Sequence, residues 1–141
     1  MLQDTFEMKG HLAIAINDEV VQEVPNLVVT AGKNYVASRM KDTTKSAMSH
    51  MSIGTNATAA DAANTTLGSE SDRNALTSTT VSGATVTYVA TFAPGDGTGA
   101  ITEAGLFNAG SSGDMLCRTV FAVVNKGSQD SMTITWSVTV S

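Results

Sequence analysis

The groups with chemistry to offer in this chain are few: two histidines, one cysteine, a glycine-rich stretch and a handful of charges. A histidine metal site needs regular spacing to other ligands, such as HxH or HExxH, and neither His11 nor His50 has it. Both read as strand histidines. Cys117 lies inside Met115-Leu116-Cys117-Arg118-Thr119-Val120-Phe121, where a lone cysteine acts as a small apolar side chain. With one cysteine, no intrachain disulfide forms. Gly95-Asp96-Gly97-Thr98-Gly99 looks like a phosphate loop. A phosphate cradle must open a helix, however, and here a strand follows, so a tight β-connection is expected. Asp96 and Asp114 sit in loops that lack the regular oxygen pattern of a calcium site. Serines are abundant, but none carries the surroundings of a nucleophile. The expectation is no catalytic residue, no metal and no cofactor: a chain that is not an enzyme.

The charges Glu70, Arg73, Glu103 and Arg118 are different. Glu103 interrupts the apolar run Ile101-Thr102-Glu103-Ala104-Gly105-Leu106-Phe107, and Arg118 interrupts the next one. Burying either alone would cost several kcal/mol. A hairpin closing around residues 108–114 sets position 103 roughly opposite 118–119. The expectation is a structural ion pair of Glu103 with Arg118 or with Arg73. The alternative is that one of them reaches a neighbouring subunit.

These groups must be positioned by strands. Leu12, Ile14 and Ile16 alternate along one face, Asn17-Asp18 is a turn signal, and residues 19–24 return as a second strand. After Pro25-Asn26 the period changes. A short helix is expected over about 31–41, with Thr30 as N-cap and Val29, Val36 and Met40 on one face. Residues 42–47 form a polar linker. Residues 47–54 read as a strand with Met48 on the face opposite Met51 and Ile53. Residues 55–75 have no period and read as a long loop or interaction arm. Val86, Tyr88, Ala90 and Phe92 alternate with hydroxyl residues. Ile101 to Phe107 is a strand. Met115 to Val124 is apolar on both faces, the mark of a central strand. In the last segment Met132, Ile134, Trp136, Val138 and Val140 alternate with Thr and Ser. Trp136, Ile134, Val138, Phe92 and Phe121 are the expected core. About seven or eight strands and one short helix make a mainly β chain, an antiparallel β-sandwich or jelly-roll-like domain. It spans 1–141 as a single domain, with a possible N-terminal arm at 1–10.

Composition narrows the function. Charged residues are 15%, against about 25% in ordinary soluble domains. Thr (20), Ala (18), Ser (14) and Gly (12) fill the difference. Strands with hydroxyl-rich outer faces suit a protein packed against copies of itself. Net charge is −5 and the eight Lys and Arg are scattered, so no nucleic-acid footprint is present. No signal-peptide run and no stretch of about 20 apolar residues appears. The chain is expected to be made in a cytoplasm, to stay soluble there, and to have no membrane partner.

Several segments resemble small phage particle proteins of the head-decoration and tail-fibre type. They are Val24-Pro25-Asn26-Leu27-Val28-Val29-Thr30-Ala31-Gly32, Ser52-Ile53-Gly54-Thr55, and Leu67-Gly68-Ser69-Glu70-Ser71-Asp72-Arg73. The others are 101–107, 115–121 and Ile134-Thr135-Trp136-Ser137-Val138. The resemblance implies a β-sandwich module that trimerises or docks on a symmetric shell, located in the virion and assembled in the host cytoplasm. Its implied partners are the major capsid protein and further copies of itself, as a homotrimer. A small self-contained domain favours a capsid decoration (cement) protein that binds and stabilises the outer surface of the head. The alternative is a tail, collar or fibre component that binds a host receptor or glycan. Beside Trp136 and Tyr35 the aromatics are Tyr88, Phe6, Phe92, Phe107 and Phe121, mostly at core-facing positions. Few remain to stack on sugars.

Overall fold

A computed structural model describes residues 6–41 and 44–141. The chain is mainly β: two five-stranded antiparallel sheets packed as a sandwich, with one short helix. The strands are β1 (Met8–Ile16), β2 (Glu19–Pro25), β3 (Leu27–Val28), β4 (His50–Gly54), β5 (Glu70–Ala75) and β6 (Ser78–Ser82). They continue with β7 (Thr85–Phe92), β8 (Gly99–Phe107), β9 (Met115–Lys126) and β10 (Met132–Val140); helix α1 covers Thr30–Arg39. The first sheet runs β2-β1-β10-β7-β6 and the second β3-β9-β8-β4-β5.

The first sheet follows directly from period-two alternation. Leu12 stands across from Trp136, which stands across from Tyr88; Ile14, Ile134 and Ala90 form the next row. All six are buried. The second sheet answers from the other side with Met51, Ile53, Ile101, Ala104, Leu106, Leu116 and Phe121. Trp136, Ile134, Val138, Phe92 and Phe121 all lie in this core. On the outer face of the first sheet, hydroxyls meet in cross-strand pairs: Thr85–Thr139 at 2.8 Å, Thr87–Ser137 at 3.4 Å and Thr91–Thr133 at 3.1 Å. Such pairs are a small stabilising unit of a sheet.

The β1–β2 turn has Asn17 and Asp18 at φ 48° and 69°. Two consecutive positive φ values make the hairpin turn that matches strand twist, and Asn and Asp tolerate it. Asn17 also ties down the β9–β10 connection. Its side chain donates to Asp130 and accepts from the Ser131 N–H, both at 3.0 Å.

The structure corrects several expectations. The strands number ten among the described residues; β3, β5 and β6 were not anticipated. β5 (Glu-Ser-Asp-Arg-Asn-Ala) and β6 (Ser-Thr-Thr-Val-Ser) have no alternating apolar signal because they are edge strands. The segment 55–75 therefore shortens to a loop over 55–69. The N-terminal arm shortens too: Met8–Gly10 belong to β1, and the Glu7 and Ser141 backbones exchange two 2.8 Å hydrogen bonds. Residues 1–5 of that expected arm lie outside the described residues. The helix starts at Thr30, with Val29 rather than Thr30 as N-cap and no side-chain cap. A helix leaves its first N–H groups without intrahelical partners, and that of Thr30 is met by the Ala62 carbonyl at 2.8 Å. Met40 is exposed, while Gly32 and Tyr35 are the buried helix residues. A Cβ on Gly32 would stand 2.0 Å from the Leu116 carbonyl oxygen, so the helix lies almost against the β9 backbone. Met48 joins the same core as Met51 and Ile53, because it precedes β4 and does not follow its alternation. β9 is an interior strand of the second sheet, as expected, lying between β3 and β8. β9 is apolar on both faces because its outer face lies under α1 and the 55–69 loop.

Candidate functional site

The second sheet puts three unusual side chains on its outer face. Glu103 projects from β8, Arg118 from β9 and Arg73 from β5. Glu103 is fully buried, and Arg118 is 2% exposed. The register sets Glu103 across from Val120 and Arg118 across from Gly105, with irregularities at both ends of the pairing. The two charges are therefore diagonal neighbours, not directly opposed as the spacing suggested. Gly105 leaves room between them and the covering loop: a Cβ there would meet Leu67 at 2.9 Å and Phe107 at 3.1 Å.

The Glu103 carboxylate is surrounded by donors. One oxygen accepts from the Gly68 N–H at 2.8 Å and from Arg118 Nε and Nη2 at 3.1 and 3.0 Å. The other accepts from the N–H groups of Asn56 and Ser69 at 3.0 and 2.8 Å. Arg118 spends its remaining donors on the same loop, reaching the Asn64 side-chain oxygen at 3.0 Å and the Thr58 carbonyl at 3.2 Å. Burial by itself raises the carboxyl pKa. The three backbone donors and Arg118 outweigh it and hold Glu103 below the ordinary carboxylate range.

The pair thus clasps both ends and the middle of the 55–69 loop. The loop adds its own turns. The Asn56 side chain accepts from Thr58 N–H, that of Asp61 from Ala63 N–H, and that of Asn64 from Asp61 N–H, each at 2.8 Å. These are the local side-chain bonds for which Asn and Asp are favoured in turns. Leu67 is the loop's apolar anchor, packed with Val29, Phe107 and Met115. Gly54 is required where the loop leaves β4, since a Cβ would sit 2.5 Å from the Glu103 carboxylate and 2.4 Å from the Ser69 carbonyl oxygen.

Arg73 is not a partner of Glu103. It pairs with Glu70 through Nε and Nη2 at 3.0 and 2.7 Å. Its Nη1 donates to the carbonyls of Ala109 and Ser112 at 3.1 and 2.8 Å, fixing the 108–114 turn. The guanidinium lies 3.7 Å from the centroid of Phe107, a cation–π contact.

The other sequence candidates lie apart. His11 is exposed on β1, and His50 is half-buried with its Nδ1 2.8 Å from the Ser49 hydroxyl. Cys117 is in the core, where burial pushes its thiol pKa up. Asp114 pairs with Lys45 at 2.9 Å. Asp96 is exposed in a turn whose Gly95 and Gly97 have positive φ. No group of His, Cys, Asp and Glu among the described residues is arranged to hold a metal ion, and no helix among them is long and apolar enough to cross a membrane.

The loop residues that receive the charge pair were not singled out from sequence. Their signal was Asn56-Ala57-Thr58 and Asp61-Ala62-Ala63-Asn64, turn formers in a segment too poor in apolar residues to anchor itself. Lys126 was missed as well; it is 1% exposed and donates to the Ala93 carbonyl at 2.9 Å. A groove of about 610 Å³ also opens between α1 and the start of β1, lined by Phe6, Met8, Lys9, Lys33, Val36 and Met40 among others.

Chemically, the cluster is a clasp. The five donors around Glu103 occupy its lone pairs and its side chain is out of solvent, so a substrate has no approach to it. Searches of protein-family models, of curated proteins and of solved structures return no match to this chain.

Proposed function

We propose that this chain is a phage virion structural protein, a capsid decoration module that binds the outer surface of the head. The observation that carries the reading is the 55–69 loop. It is an exposed platform rich in Ala and Thr, with Asp61 as its single charge, held in one shape by a buried ion pair. A platform already ordered does not lose conformational freedom on docking, which favours binding to a repeated surface. The platform stands in place of the interaction arm expected over 55–75. Low charge and hydroxyl-rich faces support the same reading, as does the resemblance noted from sequence.

The test is co-sedimentation with undecorated heads of the phage that encodes the chain, followed by cryo-electron microscopy of the complex. The informative variants are Ala59→Lys and Ala63→Lys, both exposed and neither with a side chain in contact with Glu103 or Arg118 through a hydrogen bond. They are expected to fold as the parent does and to lose head binding. Undiminished binding moves the contact off the loop. Attachment to tails alone moves the protein to the tail, collar or fibre reading, and binding to neither ends the virion proposal.

A further inference from the structure

We infer that β6 is a self-association edge, where two copies of this chain pair antiparallel across a two-fold axis centred on Thr80. The inference does not depend on the virion role.

It begins with the four open edges of the sandwich. A sheet edge exposes unpaired backbone donors and acceptors, and proteins blunt such edges with charge, proline, bulges or shortness. β2 carries Glu19, Glu23 and Pro25, and its pairing with β1 is bulged at Ile14/Ala15. β5 carries Glu70, Asp72 and Arg73, and its pairing with β4 is bulged at Ile53/Gly54. β3 is two residues long. β6 has none of these devices. Its residues Ser-Thr-Thr-Val-Ser pair in unbroken register with β7 and with no other strand, and all five are exposed.

The side chains point to the same contact. Thr79 and Val81 stand across from Tyr88 and Val86, so they share the core-facing side of the sheet. Yet Val81 is 69% exposed. The second sheet does not reach beneath β6, and an apolar residue is left uncovered where a strand laid alongside would cover it.

The occupant is a second copy for two reasons. No Asp, Glu, Lys or Arg occurs from Asn74 to Gly95, the longest uncharged run of a chain whose net charge is −5. Two acidic copies meet there without opposing like charges. The strand is also self-complementary. Antiparallel pairing about Thr80 sets Ser78 against Ser82, Thr79 against Val81 and Thr80 against Thr80 of the second copy. An interface across a two-fold requires that reciprocity, and β-branched residues directly opposed are favourable cross-strand pairs. The homotrimer implied by the resemblance finds no free arm in 55–69, which is tied to its own sheet.

Sedimentation velocity of the purified chain from about 10 to 300 µM tests this, a range suited to a contact as small as one strand pair. The parent is expected to move from monomer to dimer as concentration rises. Thr80→Lys and Val81→Lys each set repelling or desolvated charge into the pairing and are expected to weaken the dimer by roughly tenfold or more. The β2-edge variant Val20→Lys is expected to leave it unchanged. The double variant Thr79→Lys with Val81→Glu sets opposite charges across from each other in both halves and is expected to restore dimerisation relative to Thr79→Lys alone. Circular dichroism and melting confirm that each variant is folded. A parent that stays monomeric at about 300 µM, a trimer, or a dimer indifferent to both lysine variants overturns the inference. So does a double variant no better than the single, since it tests the register.

Discussion

The two sheets have core-facing sides of the same kind and outer faces of opposite kinds. In the first sheet, β1, β7 and β10 alternate apolar residues with Thr, Ser and Ala, and hydroxyl pairs bridge β7 and β10 outside. In the second, the outer face is itself covered, and beneath the cover lie a carboxylate and a guanidinium with almost no exposure. The first sheet is stabilised by area removed from water. The second adds a polar interior in which each partner is costly to bury and costlier to leave alone. What this teaches is a division of labour: one sheet makes the core, the other holds an irregular loop still.

The largest effect should come from the apolar side. Trp136 is fully buried between Leu12 and Tyr88. Trp136→Ala should cost about 3–5 kcal/mol by chemical denaturation. Because the indole N–H has no protein acceptor among the described residues, Trp136→Phe should lose much less. An alanine variant that melts like the parent would mean the shared core does not rest on this row.

On the polar side, Glu103→Gln removes the charge that Arg118 faces in the interior. About 3 kcal/mol should be lost, with amide hydrogen exchange accelerating in 55–69 before it does in β1 or β10. Arg118→Met should cost less, since Glu103 keeps its three backbone donors. If exchange rises evenly over both sheets, the loop is not held by the clasp and the division of labour collapses.

Acid should separate the sheets more gently. A carboxyl whose folded pKa is depressed gives stability that is present above its unfolded value and is lost as pH falls through the folded one. For Glu103 the loss begins below the ordinary carboxylate range, about 4.3. Denaturation midpoints between pH 6 and 3 should fall more steeply for the parent than for Glu103→Gln. Asp130, also held low by Asn17 and the Gly127 N–H, is common to both chains and drops out of the difference. Parallel curves would remove Glu103 from the acid response.

The smallest effect belongs to the outer hydroxyls. Thr87→Val breaks one long 3.4 Å contact on a half-exposed strand face and should change stability by about 0.5 kcal/mol or less. A larger loss would show that the hydroxyl rows, and not the core alone, support the first sheet.

The same contrast explains what could be read from sequence. Period-two alternation is legible where one face meets the core and the other meets water, as in β7 and β10. It fails at β5 and β6, edge strands with almost no apolar residues, and at β9, where the loop and α1 bury the second face. Glu103 and Arg118 were legible because a charge inside an apolar run demands a partner. Their register was not, because the irregularity at Leu106/Phe107 moves the partner of Glu103 one residue on, to Val120. The loop's role was hidden for a related reason: its shape depends on donors presented to a carboxylate far away in the chain, and a local reading sees only missing periodicity.

The pairing of β1 with β10, Met8 against Val140 through Ile16 against Met132, also has a consequence during synthesis. A hairpin such as β1–β2 closes in microseconds. Translation at about 5–20 residues per second then takes roughly 6–25 s to travel from residue 16 to residue 140. For that interval Leu12 and Ile14 wait without the strand that will cover one flank of β1. The nascent chain is open to mispairing at that flank until β10 leaves the ribosome, and Glu19 and Glu23 guard the other.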